Sequence, residues 1–166
     1  MAPELHVRRT RLEDVDEIAA FINLAKPGRK KITRDMVIER LSDVGFLIAE
    51  HDQRIVGLLG WQIENLVVRV TDFLIAPAVD RVVAGRALIE AMEEAARQLQ
   101  AEVAILFLPP HPSEDLIAFW ELFDYERVPI SRFNRNWREV AREWNPRATE
   151  VMLKQLRRDL VNRPMW

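Results

Sequence analysis

Between Gly45 and Phe107 the sequence demands a sheet that is neither purely antiparallel nor purely parallel. GFLIAEHD and RIVGLLGWQIE are two apolar, strand-rich runs separated by a short polar turn around Asp52-Gln53, the pattern of an antiparallel hairpin. A third run, NLVVRVTDFLIAP, follows with almost no spacer. From about Val83 to Leu99 the apolar period becomes helical, with Ala84, Leu88, Met92, Ala95, Ala96 and Leu99 on one stripe. EVAILFL then forms a near-continuous apolar run, as expected of a strand covered on both faces. Antiparallel neighbours followed by a strand-helix-strand crossover predict an α/β sandwich on a mixed sheet.

The flanking segments extend this pattern. LHVRR at residues 5–9 predicts a short strand, and Arg11 to Leu24 a helix with Leu12, Val15, Ile18, Ala19 and Ile22 on one face. Pro27-Gly28 breaks that helix, and Thr33 caps a second one whose inward side holds Met36, Val37 and Leu41. PPHPSED turns the chain, Ser113 caps a helix over DLIAFWELF, and YERVPISRF is strand-like. From Thr149 to Val161 the positions Val151, Met152, Leu156 and Leu160 follow helical spacing. Such a helix is marginal alone, so it is expected to pack on its own domain or on a partner subunit in a homodimer. The expected fold is α/β: a mixed, mostly antiparallel sheet flanked by helices, with an extra C-terminal helix. The expected division is one domain over 1–140 and a helical extension over 141–166.

Composition narrows the chemistry. The 166 residues are 49% apolar and 30% charged, which fits a globular protein, and the formal charge of −2 provides no general field for nucleic acid or membrane. The basic run GRKK, Gly28 to Lys31, reads as a solvated loop. Cysteine is absent, which removes disulfides, thiolate nucleophiles and thiolate metal ligands. His6, His51 and His111 are not spaced with one another or with carboxylates as a metal site requires, so no metal is expected. No G-x-S-x-G elbow occurs. Without a targeting stretch or a membrane-length apolar run, the expected location is the cytoplasm.

The fourth strand ends in Ile75-Ala76-Pro77, and Gly85-Arg86-Ala87-Leu88 opens a helix eight residues after the proline. Further on, AFWELFDYERV spans Ala118 to Val128. In element order and in these stretches, residues 4–133 resemble the GNAT superfamily of acyl-CoA-dependent N-acetyltransferases. The resemblance implies acetyl-CoA as co-substrate and an unknown amine as acceptor. It implies that backbone groups at Leu74 and Ile75 hold the pantetheine. Arg81, Val82, Val83, Ala84, Gly85 and Arg86 would form the pyrophosphate seat, with the amide hydrogens just ahead of Arg86 free to bind it. Ser113 and Trp120 stand at the positions from which the family approaches the thioester. The chain departs from the family pattern where Asp80 replaces Arg or Gln, Val83 the first glycine, Ser113 an asparagine, Trp120 the general-acid tyrosine, and Asp124-Tyr125 the Gly-Phe corner. An indole N–H donates a hydrogen bond but releases no proton at neutral pH.

A base must take the proton of the attacking amine. Glu64 and Asp72 are the candidates, because each places a charge near the middle of a strand. Alternation puts Asp72 on the same side as Leu74 and Ala76, without saying which side that is. The expected function is acetyl transfer to an amine by direct attack. The alternative is a non-catalytic module of the same fold that binds acyl-CoA as a sensor or serves as a protein-interaction domain.

Overall fold

A computed structural model of the chain describes residues 4–157. The elements run β1 (His6–Arg9), α1 (Val15–Ala25), α2 (Arg34–Asp43), β2 (Gly45–His51), β3 (Arg54–Glu64), β4 (Val67–Ile75), α3 (Arg81–Gln98) and β5 (Val103–Phe107). Then follow α4 (Glu114–Glu121), β6 (Glu126–Pro129), α5 (Arg135–Trp144) and β7 (Glu150–Gln155). The sheet is seven-stranded and mostly antiparallel, in the order β1-β2-β3-β4-β5-β7-β6, and β4 and β5 run parallel. The chain divides into two units. One reaches to Gln62 and includes Thr71–Met92; the other comprises Ile63–Val70 and the chain from Glu93 onward.

In the first unit the predicted hairpin is present. Phe46 faces Gly60 and Ile48 faces Leu58 across β2 and β3. The turn residues Asp52 and Gln53 have φ of 51° and 62°, the left-handed pair whose twist suits a two-residue hairpin. Thr33 caps α2 by accepting the Met36 N–H. Val15, Ile18 and Phe21 of α1 pack with Val37 of α2 and with Phe46, Ile48 and Leu58 of the sheet. Where β1 enters, Arg8 Nη2 meets Asp14 Oδ1 at 2.8 Å and Arg8 Nε meets Glu50 Oε1 at 2.6 Å. Asp14 Oδ2 also accepts the Arg11 N–H at 2.7 Å. The Arg8 bonds hold the Asp14 carboxyl down, from 3.8 to about 2. Because the folded value lies below the unfolded one, this carboxylate stabilises the fold above about pH 4, and the contribution is lost as pH falls towards 2. Asp14→Asn is therefore expected to destabilise the chain at neutral pH and to match the parent near pH 2, as read by urea unfolding at both values.

In the second unit β4 and β5 are registered from Val67 with Val103 to Arg69 with Ile105. β7 lies between β5 and β6 and is antiparallel to both. This overturns the expected helix from Thr149 to Val161: Glu150–Gln155 is a strand, and residues 158–161 lie outside those described. Val151, Met152 and Leu153 are all buried because both faces of β7 are covered. Val151 and Leu153 join Val103, Ile105, Trp137 and Val140 in one cluster, while Lys154 reaches Glu93 at 3.0 Å. Three adjacent apolar residues satisfy such a strand, and in a short window they also mimic a helical face. The added helix is α5, earlier in the chain. It is capped by Asn134, which accepts the Trp137 N–H, and it runs across the expected boundary at residue 140.

Two carboxylates are buried in this unit: Glu102, which accepts the Trp137 indole N–H at 3.0 Å, and Glu93. Glu93, 2% exposed, accepts the Tyr125 hydroxyl at 2.8 Å and the Lys154 ammonium at 3.0 Å. Burial, then the Glu93 charge, pushes the Tyr125 phenol well above its ordinary range.

Candidate active site

Two glycines of β3 set the space on either side of the sheet. Gly57 and Gly60 are three residues apart, so they present opposite faces. A Cβ on Gly57 would lie 2.9 Å from Leu88 Cδ1, so its absence lets α3 bed closely on that face. On the other face, a Cβ on Gly60 would lie 2.5 Å from Asp72 Oδ2, 2.7 Å from Thr71 Oγ1 and 2.9 Å from Phe46. Gly60 thus clears the volume in which the Asp72 carboxylate sits. Gly60→Ala is expected to cost about 1–3 kcal/mol, as overpacked sites do. Urea unfolding gives the cost, and a crystal structure of the variant would show the carboxylate displaced.

Asp72 shares its face with Leu74 and Ala76, which pack on the core that α1 and α2 form with β2 and β3. The side open in the sequence is thereby fixed: Asp72 faces the two helices. Its Oδ2 accepts the Thr71 hydroxyl at 2.7 Å and Arg40 Nη2 at 3.1 Å, and its side chain stays 35% exposed. It lines a cavity of about 280 Å³. The walls are largely apolar, among them Ile18, Ile22, Phe46 and Leu58, and Lys26, Arg29, Lys30 and Arg40 add positive charge. A carboxylate held through one oxygen, in a half-apolar cavity, is suited to take a proton from a bound amine.

Glu64, the other candidate base, is the exposed last residue of β3 and is not among the residues lining that cavity. The start of α3 differs from expectation. The Val82 and Val83 N–H groups donate to Asp80 Oδ1 at 2.9 and 3.1 Å, and the Ala84 N–H donates to the Asp80 carbonyl at 3.0 Å. These amides are therefore not free, because a carboxylate two and three residues upstream caps them. Arg81 and Arg86 are exposed beside them, and Gly85 is buried. Leu74 and Ile75, at the end of β4, are half-buried.

Ser113 caps α4, accepting the Leu116 N–H at 3.1 Å. Trp120 is 1% exposed and stacks edge-on against Phe119 and Tyr125, with centroids 6.0 and 5.0 Å away. That burial gives the indole a packing role. His111 is exposed in the proline-rich loop, with φ of 53°.

Sequence reasoning missed Gly60, Arg40 and the three cations of the cavity. GLLGW contained the first signal, since two glycines inside an apolar strand mark close approaches. Nothing in the sequence pairs Arg40 with Asp72 across 32 positions.

A family model described as "Acetyltransferase (GNAT) family" matches residues 11–125. The comparison with curated proteins finds no match. Among solved structures, N-acetylglutamate synthase from Neisseria gonorrhoeae, complexed with coenzyme A and N-acetyl-glutamate, aligns with TM-score 0.68 at 15% identity. The alignment covers 95% of this chain and 36% of that one, so the chain spans about a third of that protein's length. The PaiA N-acetyltransferase from Thermoplasma acidophilum, in complex with coenzyme A, aligns with TM-score 0.66 at 12% identity, covering 92% and 99% of the two chains. Rv2747 from Mycobacterium tuberculosis, in complex with CoA and NLQ, aligns with TM-score 0.66 at 16% identity, covering 90% and 98%.

Proposed function

We propose, since the chain belongs to the acetyltransferase (GNAT) family, that it transfers the acetyl group of acetyl-CoA to an amine by direct attack. The observation that carries this reading is Asp72, fixed by Thr71 and Arg40 in a cavity large enough for a small acceptor. The amine nitrogen forms a bond to the acetyl carbonyl carbon, the carbon–sulfur bond breaks, and its electron pair leaves with sulfur. The proton lost by nitrogen passes to Asp72, directly or through water. The chain has a single tyrosine, and Tyr125 is buried with its hydroxyl donating a hydrogen bond to Glu93. The thiolate therefore leaves as an anion and takes a proton from solvent, which a thiol titrating at about 8.5 tolerates.

For the co-substrate, the start of α3 is the seat for the pyrophosphate, flanked by Arg81 and Arg86, with Leu74 and Ile75 serving the pantetheine. The seat already accepts an anion, since the Asp80 carboxylate sits on two of its amides. Binding then requires Asp80 to yield. Asp80→Ala is expected to lower stability by about 1 kcal/mol through loss of the cap and to tighten coenzyme A binding severalfold. Calorimetric titration reads the second effect, and weaker binding by the variant would remove the seat from α3.

The same carboxylate motivates a second reading, in which the fold binds acyl-CoA as a sensor, or binds none and serves as an interaction domain. Thiol release from acetyl-CoA across a panel of amines separates the two. Amine-dependent release that Asp72→Asn suppresses supports the enzyme; coenzyme A binding with no release for any amine supports the sensor.

A further inference from the structure

The cavity that holds Asp72 is charged unevenly. Lys26, Arg29, Lys30 and Arg40 line it against the one carboxylate of Asp72, in a chain where acidic residues outnumber Lys and Arg by 26 to 24. Arg40 is committed to Asp72 itself. Among the described residues Lys26, Arg29 and Lys30 enter no ion pair.

The loop bearing these cations is built in place. Asn23 Nδ2 donates to the Ile32 carbonyl at 2.9 Å and Asn23 Oδ1 accepts the Ile32 N–H at 2.7 Å, tying the end of α1 to the far side of the loop. Gly28, with φ of 87°, makes the turn between. GRKK, a solvated run by sequence, is thus folded so that Arg29 and Lys30 line the cavity. Cations without acidic partners beside apolar walls attract an anion and repel a further cation.

We infer that the acceptor is a small amine carrying an acidic group, carboxylate or phosphate, on an apolar body. The amine meets Asp72, the apolar body lies against walls such as Ile22 and Phe46, and the acidic group meets Lys26, Arg29 and Lys30. This rests on the reading of Asp72 as proton acceptor and names the substrate class of that site. Polyamines and lysine side chains in basic peptides are disfavoured, since each brings further positive charge to a cavity already rich in it.

The test uses the full chain, acetyl-CoA and matched acceptors: leucine, 6-aminohexanoate and an aminohexyl phosphate, each beside its uncharged amide or alcohol, with a diamine of equal length. At least one acidic acceptor is expected to exceed its uncharged counterpart in kcat/KM by about tenfold or more, as a charge-assisted contact gives, with the diamine slowest. The carboxylate and phosphate arms decide which anion the cations prefer. In Arg29→Met/Lys30→Met the ratio of acidic to uncharged rates is expected to collapse towards one, and in the parent it shrinks as salt rises. Uncharged or diamine acceptors acetylated as fast as every acid, or a ratio unmoved in the double variant, would overturn the inference and leave acetyl transfer standing. Should no acceptor turn over, calorimetry on the same pairs decides. Acids that bind the parent and not the double variant retain the ligand class while the transfer reading fails, and equal binding of acids and uncharged partners overturns the class.

Discussion

Asp72→Asn is expected to lower kcat for acetyl transfer by about 10²–10³-fold, the usual weight of a positioned general base. Asparagine preserves the shape of the side chain, and its carbonyl oxygen still accepts from Thr71 or Arg40, but it takes no proton from the amine. The loss therefore falls on kcat, with coenzyme A affinity unchanged. Stability changes by about 1 kcal/mol at most, because the Arg40 pair is half-exposed. Gly60→Ala gives a companion result: the carboxylate is present but displaced, and misplacement of about 1 Å is enough to cost on the order of 10²-fold. A wild-type rate in Asp72→Asn would end the role of this carboxylate.

Glu93→Ala is the largest expected loss of stability, about 3–5 kcal/mol, because removing one partner leaves the others buried without compensation. Tyr125 is 2% exposed and the Lys154 side chain 22% exposed, so water replaces neither lost bond well. Glu93 does not line the Asp72 cavity, and coenzyme A binding by whatever fraction remains folded is expected to be near normal. Replacing all three residues together, as Glu93→Met, Tyr125→Phe and Lys154→Met, is expected to recover most of the loss, since apolar packing often equals a buried ion pair. Urea unfolding of the single and triple variants tests both halves. A triple variant no more stable than Glu93→Ala would show that packing, not the unpaired charge, causes the loss.

What the sequence disclosed follows from how local each signal is. The hairpin at Asp52-Gln53 and the caps at Thr33 and Ser113 depend on neighbours within a few positions, and they stand as expected. Asp72 was legible as a charge within a strand, but the face it takes is set by packing between distant elements. β7 was illegible for the same reason: Val151, Met152 and Leu153 become a strand because β5 and β6 offer edges that no local pattern records. α5 did carry a local signal, with Trp137, Val140, Ala141 and Trp144 on one face beyond Asn134, and its polar remainder masked it. At α3 the opposite occurred. The helix was plain, while the capture of its first amides by Asp80 required the position of one carboxylate oxygen.

The place of β7 also bears on synthesis. A ribosome delivers Val103–Phe107 and Glu126–Pro129 well before Glu150–Gln155, the strand that bonds to both. Until that strand emerges, the nascent chain holds two adhesive backbone edges with nothing between them, the condition that invites misassembly with neighbouring chains. The second unit therefore completes itself late, and a stop codon placed before Glu150 is expected to yield an aggregation-prone product in which β5 and β6 lack the strand that joins them.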